Sequence, residues 1–149
     1  AAYPTPQRFP QATALIVAGP DRTASSVVID GFDAAVIMTH NYQHDLELLG
    51  LLLDSKIAYI GLLGAAKRAQ RILDALTDRG VVLDNNQLGR IHAPVGLDLR
   101  ADGPEAIALS IVAEIQAALA GGSAQPLRDR RKAAQTGLSA RSVHSPEKR

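Results

Sequence analysis

The chain has 149 residues, 46% hydrophobic but only 3% aromatic, enough for one domain with a core of Leu, Ile, Val and Ala. It contains no cysteine, which excludes disulfides, thiolate metal sites and a cysteine nucleophile within this sequence. The net charge of +1 divides unevenly: residues 127–149 carry net +5 and the rest of the chain net −4, so the basic pI does not indicate a nucleic-acid partner.

No apolar run is long enough to span a membrane and no signal peptide is visible, so a cytoplasmic setting with no membrane partner is expected. The chain opens at Ala1 without a methionine, which suggests a piece of a longer protein.

In chain order, the proline-rich stretch to Pro10 reads as an extended arm. Ala14–Ala18 (Ala-Leu-Ile-Val-Ala) is a strand candidate ended by Gly19-Pro20. Ser26–Ile29 is ambiguous, and Asp30–Asp33 reads as a turn. Ala34–Met38 is a continuous apolar run, the pattern of a central parallel strand, ending at Thr39-His40-Asn41. A helix follows to about Leu53, with Asn41 as its N-cap and Tyr42, Leu46, Leu49 and Leu53 as its inner stripe. Gly50 inside it costs about 1 kcal/mol against Ala and implies close packing on a neighbour.

Ile57–Ile60 is the next strand, and Ala65–Arg79 the next helix, ended by Gly80. Asp84–Leu88 reads as a single helical turn, and residues 90–98 as a loop broken by Pro94 and Gly96. Asp102-Gly103-Pro104-Glu105 starts a helix to Leu119 that is apolar over most of its circumference, so burial against the sheet or a second subunit is expected. Glu114 on that helix must be surface-exposed or paired with Arg or His; structural pairing is the favoured role. Residues 1–122 therefore read as a partial Rossmann-like α/β domain with a doubly wound parallel sheet, and 123–149 as a basic, flexible tail. The Gly-x-Gly-x-x-Gly turn that normally opens such a domain is absent.

The chemistry concentrates where strands end. Gly61 and Gly64 lie between the second strand and its helix, neither supplies a capping oxygen, and the first helical turns carry Lys67, Arg68 and Arg71 with no acid. Bare amides, a positive dipole end and cations are what a phosphate requires. The plainer alternative is an ordinary loop with a solvated basic face. Ligands of open α/β sheets sit beyond the carboxyl ends of the strands, which brings Thr39 and His40 to the same edge as Gly61 and Gly64. His40 could donate to a ligand, transfer protons or bind metal, or simply cap the helix; His44 and Glu47 read as solvated. His92 in the Pro/Gly loop could face a ligand or bond its own backbone. A metal site from His40, His44 and Asp45 is conceivable, but no second cluster completes it, and no nucleophile-elbow motif occurs, so neither a metal site nor a catalytic residue is nominated.

Five strings occur in order: Arg8-Phe9-Pro10; Val36-Ile-Met-Thr39-His40; Tyr59-Ile-Gly-Leu-Leu-Gly64; His92-Ala-Pro-Val-Gly-Leu-Asp98; and Pro104-Glu105 followed by Ile107 to Ile115. Together they resemble the C-terminal Rossmann domain of the XdhC/CoxI family, maturation proteins for xanthine dehydrogenase and carbon monoxide dehydrogenase, over about Arg8 to Leu119. The resemblance implies a cofactor-binding chaperone, not an enzyme with turnover. Such a protein binds molybdenum cofactor (molybdopterin) and helps deliver it, sulfurated, to a client molybdoenzyme, alongside a cofactor sulfurase. Thr39, His40, Gly61, Gly64, Lys67, Arg68, His92 and Gly96 are then the candidate cofactor-binding residues, and a homodimer is expected.

The chain departs from the family in lacking its N-terminal domain, its first glycine-rich strand-turn and a cysteine associated with cofactor handling. Ala65-Ala66 replaces a common Ser and basic residue, and Arg100 a common glycine. The alternative function, an NAD(P)- or flavin-dependent oxidoreductase domain, needs a glycine-rich first turn and a ribose-binding acid, and neither is present. A third reading is an interaction module, with the apolar Pro104–Leu119 helix as dimer face and the basic tail on an acidic partner.

Overall fold

The computed structural model describes residues 4–100 and 102–129. The tail proposed to carry the positive charge lies outside the described residues from position 130 onward. Three strands, β1 (Ala34–Ile37), β2 (Tyr59–Leu62) and β3 (Ile91–His92), form one all-parallel sheet in the order β1-β2-β3. Helices α2 (Tyr42–Leu53) and α3 (Ala66–Asp78) cover one face, and α5 (Pro104–Leu119) the other. Short helices α1 (Pro20–Ser26) and α4 (Asn85–Gly89), with a 3-10 turn at Ile29–Gly31, complete the described elements. The Rossmann-like α/β arrangement expected from the sequence is present.

Because parallel strands bury both faces, alternate residues feed two cores. Ile60 and Leu62 point to a cluster with Ile37, Leu46, Leu49 and Ile72, while Tyr59 packs with Val95 and Ile111 beneath α5. Gly50 holds the close approach expected of it: a Cβ there would stand 3.4 Å from Leu76 Cδ2 of α3. The C-terminus of α2 is closed by Arg90, whose guanidinium donates to the carbonyls of Leu53, Ser55 and Ile57 at 2.8 Å each. One side chain thereby satisfies carbonyls that α2 and the approach to β2 leave open.

The caps follow local chemistry. The Asn41 side chain accepts from His44 N as expected, and Asp84 forms a reciprocal capping box with Gln87 that starts α4. Gly80 takes φ +85 just past α3.

Five expectations need correction, the first being the extended arm: Arg8 N and Phe9 N both donate to Thr5 O at 3.0 Å, closing a turn there. Ala14–Ala18 joins no ladder among the described residues and leaves Ile16 47% and Val17 63% exposed. Gly19-Pro20 does not end a strand but begins α1, with proline in the first turn and Asp21 behind it. The loop at 90–98 contains β3, a two-residue strand induced by the open edge of β2. The N-cap of α5 is Gly103 at φ +90, with no side-chain cap, and not Asp102.

Candidate functional site

The carboxyl ends of β1 and β2 fall on one edge of the sheet, as parallel pairing requires. Beyond β1 stands Thr39-His40-Asn41. His40 is exposed and has φ +57, a conformation rare for a non-glycine residue and associated with functional turns. Beyond β2 the chain turns at Gly64, φ +136 and exposed, into α3. Ala65 is the N-cap and gives no side-chain hydrogen bond, and the first turn of α3 has no acid. The first amides of that helix thus have no capping side chain, and Lys67 beside them is exposed.

Gly61 is not part of that turn. The sequence pattern ends the strand at Ile60, but β2 continues to Leu62 and Gly61 sits buried within it. A Cβ at Gly61 would stand 2.5 Å from Val95 Cγ2, so glycine is required there for the loop after β3 to lie on the sheet. Gly96 answers to the same constraint: it has φ +106, and a Cβ would meet Ser110 Oγ at 2.5 Å.

Arg68 and Thr39 are also engaged inside the fold. The Arg68 guanidinium pairs with Asp45, a carboxylate only 2% exposed, and Thr39 Oγ1 donates to the other oxygen of that carboxylate. Asn41 N in turn donates to Thr39 Oγ1 at 3.1 Å. This network ties the turn after β1 to the first turn of α3 and so fixes the relative placement of His40 and Gly64. Its effect on the anion turn is to leave Lys67 as the free-standing cation there. Arg71 lies over the Tyr42 ring, 5.4 Å from its centroid.

His92 occupies a second cluster beneath α5. Its ring stacks on the fully buried Tyr59 ring, centroids 4.1 Å apart and planes 22° apart. Tyr59 Oη donates to Glu114 Oε2 at 2.5 Å, Gly96 N donates to the same oxygen at 2.7 Å, and His92 Nδ1 lies 3.6 Å from Oε1. Glu114, the acid in the middle of the apolar helix, is therefore paired, as its cost of burial demanded. Burial, and then the Glu114 bond and charge, push the Tyr59 phenol far above its ordinary range. Burial also pushes the Glu114 carboxyl up, but the Tyr59 and Gly96 hydrogen bonds and the nearby imidazole together hold it below its ordinary value.

Between these groups lies a cleft of about 390 Å³, walled by Gly64, Pro94, Leu97, Asp98, Arg100 and Ser110. That volume is in the range of small-ligand sites, roughly 300–1,000 Å³. Of the eight residues nominated from sequence, Gly64 alone forms its wall, with Lys67 on the adjoining helical turn; His40 and His92 do not line it. Arg100, exposed at φ +49, is a second cation at the cleft that the sequence reading did not nominate. Its signal was available: a basic residue four positions after Gly96, between the Pro/Gly loop and the start of α5. Among the described residues no three His, Asp or Glu side chains gather into a metal-holding group.

The family model described as the XdhC Rossmann domain matches residues 1–115. A Bacillus subtilis protein, named as a probable xanthine dehydrogenase component, is 41% identical over 114 residues, 76% of this chain and 32% of its own. An Escherichia coli protein, YqeB, is 36% identical over 110 residues, 74% of this chain and 20% of its own. A crystal structure from Bacillus halodurans, described as a xanthine dehydrogenase, superposes with TM-score 0.65 and 33% identity, covering 87% of this chain and 35% of that one. The chain spans between a fifth and about a third of the length of these relatives.

Proposed function

This chain belongs to the XdhC Rossmann-domain family, and from that premise we propose that it takes part in maturing a xanthine dehydrogenase-type molybdoenzyme by holding the phosphate-bearing molybdenum cofactor at the carboxyl edge of its sheet. The observation that carries this reading is the start of α3. Gly64 at φ +136 leads into a helix terminus with no capping side chain, no acid in its first turn and an exposed lysine, beside an open cleft. Those donors fit a phosphate: peptide N–H groups give directional hydrogen bonds, and the dipole end and ammonium supply charge.

In this role the amides of Ala66 and Lys67 hold the phosphate and the Lys67 ammonium neutralises it. The cleft between Gly64 and Ser110 receives the ring system, with Arg100 at its rim. The Asp45 network acts one layer behind, holding Gly64 in register with His40. When bound, the cofactor supplies the molybdenum centre that the client enzyme uses. The chain's own task is to bind it and keep water from part of its surface. The client molybdoenzyme and a cofactor sulfurase are the partners this role requires, and the cytoplasm is its setting.

Equilibrium binding of molybdopterin to the wild type and to Lys67→Glu tests the assignment. Reversing the charge should weaken binding by at least about tenfold, with a smaller loss for Arg100→Ala. Equal affinities for wild type and Lys67→Glu would reject the phosphate role of this turn.

A further inference from the structure

We propose that Asp98 is the specificity-determining residue of the cleft between Gly64 and Ser110. Its carboxylate reads a ring edge on which a ring N–H stands beside an exocyclic amine, the edge that pterins and guanine share. The inference rests on the cofactor reading for the phosphate end of the ligand and adds the residue that recognises its ring. Of the residues that wall the cleft, Asp98 alone is acidic. The cleft adjoins the uncapped start of α3 and exposed Lys67, and a phosphate held there would be repelled by a nearby carboxylate. An acid suits such a cleft when the ligand brings N–H donors to it.

The carboxylate is fixed in place but not neutralised. Asp98 is exposed, and its Oδ1 accepts from Arg100 N at 3.3 Å, closing the turn in which Arg100 has φ +49. Among the described residues Oδ2 has no hydrogen-bond partner and Asp98 forms no ion pair, so the Arg100 guanidinium is left for another group. The loop that carries Asp98 is fixed by its own backbone. Gly96 N donates to Glu114 Oε2 at 2.7 Å, Leu97 N to Ser110 O at 3.2 Å and Leu99 N to Leu97 O at 2.8 Å. A ligand therefore meets a carboxylate already in position, which limits the ordering cost of binding.

The rest of the wall narrows what lies against it. Leu63, Val95, Leu99 and Ile107 are apolar, and the Ser110 hydroxyl donates to Ile107 O at 2.8 Å. Such a surface takes the flat face of a heterocycle and leaves its edge to Asp98 and Arg100. A carboxylate accepts through two oxygens and donates nothing, while a guanidinium donates and accepts nothing. Asp98 thus matches two adjacent donors, and Arg100 a neighbouring carbonyl oxygen. The amine, ring N–H and carbonyl of a 2-amino-4-oxopyrimidine ring present that series. Adenine and cytosine place a ring-nitrogen lone pair beside their amine, which would oppose the carboxylate, so this edge excludes them.

Equilibrium titration of the full chain with GMP, xanthosine monophosphate and molybdopterin tests the inference. GMP should bind at least about tenfold more tightly than xanthosine monophosphate, whose carbonyl replaces the amine and opposes the carboxylate. Asp98→Asn keeps an oxygen for Arg100 N, so the turn is retained, but its amide nitrogen donates where the carboxylate accepted. The variant should move that ratio at least about tenfold toward xanthosine monophosphate and weaken molybdopterin by at least about tenfold. Lys67→Glu should weaken both nucleotides alike and leave their ratio unchanged, so the phosphate role and the ring role fail separately. Tighter binding of molybdopterin than of GMP identifies a pterin as the source of the edge. The reverse order keeps the role of Asp98 and overturns the cofactor reading. Equal wild-type affinities for the two nucleotides, undetectable binding of both included, would overturn the inference. So would molybdopterin binding unaltered in Asp98→Asn.

Discussion

Substituting Arg68 should reveal a structural clamp. Its guanidinium pairs with Asp45, which is 2% exposed, while the Arg68 side chain keeps 31% of its own exposure. In Arg68→Ala the Asp45 carboxylate stays buried with Thr39 Oγ1 as its remaining side-chain donor. Removing one partner of a buried pair costs about 3–5 kcal/mol. The partial exposure of Arg68 lets water reach the site, so about 3 kcal/mol is the appropriate figure. In urea that is a midpoint shift of roughly 1–2 M at unchanged slope. Asp45→Ala strands the guanidinium less severely, since it can turn to solvent, and should cost about 2 kcal/mol. The double variant leaves no buried charge, so the two losses should fall short of additivity by at least about 1 kcal/mol. A solvated cation serving only a ligand would behave differently: Arg68→Ala would then fall within about 0.5 kcal/mol of wild type. That result, or strict additivity in the cycle, would refute the clamp.

Because the Glu114 carboxyl is held below its ordinary 4.5, its contribution to stability is complete above that value and lost as pH falls through the folded pKa. Acid titration of stability should therefore be shallower in Glu114→Gln than in wild type, and identical profiles would contradict the network. The Tyr59 phenol is raised, so its neutral form is favoured in the fold and stability should fall as pH rises above the ordinary 10.0; Tyr59→Phe should remove that alkaline slope in equilibrium unfolding. Gly61→Ala drives a Cβ to 2.5 Å from Val95 Cγ2 and should cost about 1–3 kcal/mol by thermal melts. Val95→Ala in the same chain should recover part of that loss, and a Gly61→Ala variant as stable as wild type would show that the loop does not lie on the strand.

What could be read from the sequence was what short range determines. The apolar run Ala34–Met38, the Asn41 cap, the α2 stripe of Leu46, Leu49 and Leu53, and Gly80 are each set by residues within a few positions, and each stands where expected. Glu114 was legible as a residue needing a partner, because an acid on an apolar helix is costly alone. Its bond to Tyr59, 55 positions away, and the Asp45–Arg68 pair, 23 apart, were not, since tertiary packing alone brings them together. The same limit explains Gly61. A glycine before a helix reads as a turn, and only the contact with Val95 shows that it serves the packing of the strand. β3 is two residues long and exists through its pairing with β2, so it has no periodicity to detect. Conversely Ala14–Ala18 has strand composition but no ladder, because composition does not supply a partner.

The most direct test of the anion turn is a nitrogen-edited NMR titration of the full chain with molybdopterin, followed amide by amide. Gly64, Ala66 and Lys67 should shift first and saturate together, and the same resonances should stay still in Lys67→Glu at equal ligand concentration. Shifts confined to other parts of the chain, with the Gly64–Lys67 amides unmoved at saturation, would show that the phosphate is held elsewhere.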